Sequence, residues 1–258
     1  MQNVPKTLGD YTGLAEDYSK YRPDYAPSIL TALLALTGKP ASQIDAVDVG
    51  AGTGIWTRML AARGLHSVTA IEPNADMRRC GERDSPAIAW RDGSGEKTGL
   101  ADGCADLVSM ASSFHWVDTD KGLCEFHRLL RPGGRFVALW NPRLIAVSPL
   151  LVEVEAELTR LSPEYARVSS GRSGIADRMT EILNASPLYR DTVYLEGRHV
   201  IRQSPAVYLG VWRSVNEVQV RLGPERFAAF LAYIAKKIEG LAYIETTYQT
   251  RAWSAARA

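Results

Sequence analysis

The run Val47-Asp48-Val49-Gly50-Ala51-Gly52-Thr53-Gly54 constrains this chain more than any other feature. An apolar strand breaks there into glycines at alternating positions, and a helix resumes at Ile55-Trp56. Glycine has no Cβ, so such a turn can take positive φ and leave amide N–H groups free to face a bound nucleoside or carboxylate. Glu72 follows Gly52 by 20 residues, at the end of the apolar run Ser67-Val68-Thr69-Ala70-Ile71. An acidic side chain at that offset is placed to meet the two hydroxyls of a ribose.

From Ala46 to about Asn141 the pattern alternates between short apolar runs and helical stretches: strands at 46–49, 68–71, 88–90, 107–111 and 135–140, with helices at 57–63, 75–83 and 119–130 between them. Such alternation predicts an α/β fold, a parallel sheet with helices on both faces. Residues 1–37 read as an N-terminal helical cap and 38–142 as the cofactor-binding core. Residues 143–240 read as a helical lid insert carrying one or more sheet strands, with a strand candidate at 191–196, and 168–176 looks like a mobile loop. The last segment, 241–258, alternates β-branched and aromatic residues and should be a strand returning to the sheet edge.

The glycine spacing is G-x-G-x-G and not the G-x-G-x-x-G of dinucleotide sites, which favours a nucleoside such as S-adenosylmethionine over NAD. With Asp48 ahead of it, this turn resembles the first motif of class I methyltransferases. The resemblance continues in order through Glu72-Pro73, Gly93-Ser94-Gly95-Glu96, Ser112-Ser113-Phe114-His115-Trp116 and Leu130-Arg131-Pro132-Gly133-Gly134-Arg135-Phe136. It implies a Rossmann-like sheet, mostly parallel with an antiparallel edge strand, plus a helical lid. It also implies S-adenosyl-L-methionine as cofactor and methyl transfer to a nitrogen or oxygen of a small metabolite or natural-product intermediate.

In that frame Gly50, Ala51 and Gly52 face the methionine portion of the cofactor, Glu72 its ribose, and Pro73 with Met77 its adenine. Ser94, Gly95 and Glu96 occupy the loop that meets the adenine edge, with Ser94 standing where many relatives have Asp. The segment Tyr18-Ser19-Lys20-Tyr21-Arg22-Pro23 resembles the Y-x-x-x-R-P segment of a small-molecule subgroup, in which Tyr18 and Arg22 reach the cofactor carboxylate. Ser112, Phe114, His115 and Trp116 follow the fourth strand at its carboxyl end, where open α/β sheets bind ligands.

Methyl transfer needs a nucleophile held about 3 Å from the methyl and a site for any released proton. His115, Tyr18 and Tyr11 are the candidate catalytic residues, with His115 a base or a cofactor contact. Tyr11, Phe114, Trp116, Tyr208, Trp212 and Arg213 are the candidate acceptor-binding residues, with Asn216 a further anchor. A stripe such as Tyr208, Trp212 and Tyr233 at helical spacing is usually core, and shapes an apolar pocket instead if the lid closes over the site.

Thirty basic against twenty-nine acidic side chains give a formal charge of +1, which disfavours a nucleic-acid partner. A tRNA-modifying enzyme and a non-catalytic S-adenosylmethionine-binding module remain the alternatives. Cys80, Cys104 and Cys124 lack metal-ligand spacing, and His66, His127 and His199 are scattered, so no metal is expected. The cysteine usage suits a reducing cytoplasm. No apolar run approaches a membrane span, the N-terminus carries no signal pattern, and the oligomeric state is open.

Overall fold

The computed structural model describes residues 7–164 and 174–258. The mobile loop expected at 168–176 falls, as far as residue 173, outside the described residues. Five strands, β1 (Asp45–Val49), β2 (Ser67–Ile71), β3 (Ala89–Arg91), β4 (Ala105–Ala111) and β5 (Leu130–Trp140), run parallel. They are joined by β6 (Tyr189–Gln203) and β7 (Ile244–Arg257) in the order β3-β2-β1-β4-β5-β7-β6. β7 pairs antiparallel with both neighbours. The C-terminal strand therefore lies one place in from the edge, and β6 is outermost. The sheet is Rossmann-like, with helices on both faces and its antiparallel pairing confined to one side.

β4 is buried along nearly its whole length, as a strand covered on both faces must be. One face carries α2 (Pro27–Ala35) and α3 (Ile55–Ala61), packed through Ile29, Leu33, Trp56 and Leu60. The other carries α5 (Thr119–Leu129) and α7 (Ile175–Ala185), packed through Phe126, Met179 and Leu183. Helix α4 (Ala75–Asp84) starts at Asn74, whose side chain accepts from the amides of Asp76 and Met77, a capping arrangement that fixes Met77 one turn in.

A third core is separate from the sheet. Helices α6 (Pro149–Leu161), α8 (Pro205–Arg213) and α9 (Asn216–Lys237) enclose Leu151, Val154, Tyr208, Trp212, Phe230 and Ile234. α9 breaks at Gly223, which takes φ 69°, followed by Pro224, as that residue pair requires. Two elements of the 143–240 segment thus belong to the sheet layer, α7 and β6, and the lid proper is α6 with α8 and α9. The lid meets the short N-terminal helix α1 (Ala15–Tyr21) where Gly210 lies against the Tyr21 ring, so closely that a Cβ there would stand 2.3 Å from it. Among the described residues no helix is long and apolar enough to cross a membrane.

Candidate active site

The glycine turn takes the conformation its sequence demands: φ is 65° at Gly50, 59° at Gly52 and 87° at Gly54. A Cβ on Gly50 would stand 2.8 Å from the Ser113 side chain, so glycine is needed there for approach as well as for φ. Asp48 is fully buried beneath the turn, where Thr57 Oγ1 and Ser109 Oγ donate to it at 2.6 and 3.0 Å. Burial pushes its carboxyl up to about 7. It shapes the turn from below and does not line either cavity described next.

Glu72 bridges the turn to the strand that follows. Its Oε2 accepts from the Gly52 amide at 2.7 Å and its Oε1 from the Asn74 amide at 2.8 Å, while burial raises its carboxyl above the usual range. Backbone donors on both oxygens hold the group in one orientation, with lone pairs left for hydroxyl donors.

These residues line a cavity of about 340 Å³ together with Ala51, Pro73, Met77 and Ser112. Its polar end is the glycine turn with Glu72, and Met77, Met110 and Val117 are among its apolar lining. A carboxylate for a ribose, a backbone turn for a charged amino-acid portion and an apolar slot for a base fit S-adenosylmethionine.

A second cavity of about 410 Å³ adjoins it, and Tyr11, Tyr18, Tyr25, Ser112 and Trp116 line both. Tyr11 and Tyr18 meet edge to face at 5.6 Å. Burial pushes the Tyr11 phenol up to about 12, so it stays protonated at neutral pH. Ser112 has φ 58°, a backbone strain worth about 1–3 kcal/mol that surrounding contacts must offset. Its amide donates to the Leu139 carbonyl at 2.7 Å, and its hydroxyl shares a 2.9 Å hydrogen bond with Tyr25.

His115 lines the second cavity, and its Nδ1 accepts from the indole N–H of Trp140 at 3.3 Å. The remaining ring nitrogen, Nε2, therefore carries the proton of the neutral imidazole. Burial pushes the His115 pKa down to about 4. At neutral pH this side chain presents a donor.

A strap of N-terminal chain crosses both cavities. Leu8 and Gly9 line each, and a Cβ on Gly9 would stand 3.0 Å from the Trp116 indole. The strap is held by Asn216 at the start of α9. Its Oδ1 accepts from the Gly9 amide at 3.2 Å, and its Nδ2 donates to the carbonyls of Thr7 and Asp10 at 3.2 and 2.7 Å. The Asn216 amide is thus engaged with the strap, not free to anchor an acceptor.

Several sequence-based assignments are corrected by where the side chains lie. Phe114 is fully buried against Phe126 and Phe136 and faces away from both cavities. Tyr208 and Trp212 point into the lid core, where Phe230 meets the Trp212 ring at 5.1 Å. Arg213 sits over the Tyr21 ring with Asp17 at 3.4 Å, on the outer side of the lid. Ser94, Gly95 and Glu96 form a turn one layer back: Gly95 backs onto Val117, and Glu96 accepts from the Asp118 amide. Arg22 lines the second cavity and not the first, and its Nε and Nη2 donate to the hydroxyl and carbonyl of Ser214 at 2.8 and 3.1 Å.

Sequence reasoning passed over Tyr25, Trp140, Asn141, Arg143 and Tyr248, which all line the second cavity. They come from three segments that only the fold brings together. The Asn141-Pro142 break after β5 is the one local signal that a loop begins at the sheet's carboxyl end.

Residues 47–138 match the methyltransferase domain family. Over 126 residues the chain is 37% identical to an uncharacterized methyltransferase of Mycobacterium tuberculosis, which covers 49% of each protein. Over 95 residues it is 36% identical to the ubiquinone/menaquinone biosynthesis C-methyltransferase of Rubrivivax gelatinosus, 36% of this chain and 38% of that one. The chain spans about half the length, or less, of these curated relatives. A solved structure from Anaeromyxobacter dehalogenans, described as that of a type II methyltransferase, superposes with a TM-score of 0.65 at 23% identity, over 92% of this chain and 98% of the other. That likeness concerns the fold. The matched residues run from β1 to β5 and include the glycine turn and Glu72, and this stretch of the chain is a class I S-adenosylmethionine-dependent methyltransferase domain.

Proposed function

We propose that this chain transfers the methyl group of S-adenosylmethionine to a nitrogen or oxygen of a small metabolite or natural-product intermediate. The observation that carries this reading is the wall shared by the two cavities, made of Tyr11, Tyr18, Tyr25, Ser112 and Trp116. A cofactor held by Glu72 and the glycine turn has its neighbour on the far side of that wall. The second cavity, about 410 Å³, is within the range of small-molecule sites.

The cofactor supplies an electrophilic methyl group on a positively charged sulfur. The protein's work is positioning and exclusion of water. Glu72 holds the ribose, the Gly50-Ala51-Gly52 turn brings backbone close to the methionine portion, and Pro73 with Met77 walls the adenine. Tyr11 and Tyr18 orient the accepting atom from the shared wall. His115 donates a hydrogen bond through Nε2, and an amine or hydroxyl loses its proton to water after transfer. Leu8, Gly9 and Trp116 close the mouth against solvent.

The reading is tested in two steps. Calorimetry with S-adenosylmethionine and S-adenosylhomocysteine is expected to show one site per chain, and NAD binding in their place overturns it. Mass spectrometry should then find S-adenosylhomocysteine produced in the presence of amine- or hydroxyl-bearing small molecules and not of tRNA.

A further inference from the structure

The second cavity holds a buried cation. Arg143 follows β5 and is only 8% exposed, yet it lines the cavity. Its guanidinium stacks on the Trp212 ring with 4.0 Å from its carbon to the ring centroid. It also lies close enough to the phenols of Tyr208 and Tyr248 for its charge to act on both. The backbone beside it is stitched to β7: the Leu144 amide donates to the Thr247 carbonyl, and the Gln249 amide to the Pro142 carbonyl, each at 2.9 Å. An arginine stacked on one face and anchored at its base has little side-chain freedom left to lose.

Among the described residues lining this cavity, the charged groups are Arg22, Arg143 and Glu217, so the lining is positive by one charge. Arg143 lines the second cavity alone, while the wall shared with the first is made of tyrosines, Ser112, Trp116 and apolar side chains. A group held by Arg143 is therefore set back from the atom that meets the cofactor.

We infer that the acceptor carries a carboxylate remote from its methylated atom, and that Arg143 is the residue that selects it. The pairing is a guanidinium against a carboxylate, a charge-assisted hydrogen bond stronger than one between neutral groups. This inference rests on the methyltransferase reading above.

The test uses the full chain saturated with S-adenosylhomocysteine and a panel of small hydroxy and amino carboxylic acids, each paired with its isosteric primary amide. Binding is followed by calorimetry or ligand-observed NMR. For the wild type, at least one carboxylate should bind about 10- to 100-fold more tightly than its amide, the scale of a charged hydrogen-bonded pair. Arg143→Gln should abolish that difference with S-adenosylhomocysteine affinity unchanged, and Arg143→Lys should keep part of it, since charge survives but the guanidinium does not. A panel in which no carboxylate outbinds its amide overturns the inference, as does an Arg143→Gln variant that keeps the preference. If Arg143→Gln does not fold, the wild-type pairs and Arg143→Lys decide. Failure of S-adenosylhomocysteine to bind at all would instead overturn the methyltransferase reading.

Discussion

Trp140 donates its indole N–H to Nδ1 of His115 across 3.3 Å, and this contact determines which proton the cavity meets. An imidazole that accepts at Nδ1 and is too buried to charge until about pH 4 carries its hydrogen on Nε2. His115 therefore presents a donor to the cavity, and we expect it to serve as a donor and not as a base. His115→Gln, which keeps an N–H near that point, should retain kcat to within about tenfold. Loss of a general base would cost about 10²–10⁴-fold.

The same burial sets the pH dependence. His115 stays neutral in the fold down to about pH 4, whereas a free imidazole protonates near 6.5. It therefore costs stability as pH falls through that window. Asp48 has the opposite sign: its folded carboxyl holds a proton up to about pH 7, so it adds stability as pH falls toward the unfolded value near 4. The two offset one another in any global melting curve. Site-resolved NMR of His115 should show no titration between pH 5 and 8, and kcat should show no inflection near 6.5 from this residue.

Glu72→Ala removes the acceptor of the Gly52 and Asn74 amides as well as the proposed ribose contact. S-adenosylhomocysteine affinity should fall by about 1–3 kcal/mol, the scale for hydrogen bonds to a charged group. Calorimetry reads this directly. Unchanged affinity would show that the carboxylate serves only the turn.

Asn216→Ala cuts three hydrogen bonds between the lid and the strap of residues 7–10. Cofactor release should quicken, and amide exchange at Gly9 should rise, while the sheet's protected amides keep their rates. Stopped-flow release with an unaltered off-rate would count against the strap as a closure.

Trp212→Ala empties a fully buried site in the lid core and removes the surface on which Arg143 stacks. It should destabilise the chain by about 3–5 kcal/mol, seen in denaturant melts. A loss of acceptor affinity with full stability would instead move Trp212 out of the core.

The order of elements from β1 to β5, the positive-φ turn and the position of Glu72 were legible in the chain because each depends on neighbours a few residues away. Alternation names a strand, alternate glycines name a turn, and a fixed offset carries an acid to the end of the next strand. Helix α7 was also within reach, since Ile175, Met179, Ile182 and Leu183 repeat at helical spacing after a polar stretch. The stripe of Tyr208 and Trp212 was ambiguous for a physical reason: a period of 3.6 says that one face is buried and not what buries it. Only the packing of α6, α8 and α9 turned those rings into the lid core and away from the cavity. The order in which β7 and β6 add to the sheet, the proton on His115 and the seat of Arg143 likewise depended on contacts across long stretches of chain. Sequence by itself determined the glycine turn with Glu72, the proposed seat of the cofactor's polar ends, because it is built from two consecutive strand ends. The second cavity, proposed for the acceptor, was decided by tertiary structure, because Tyr11, His115, Arg143, Val211 and Tyr248 become neighbours only when the cap, the sheet and the lid close around one space.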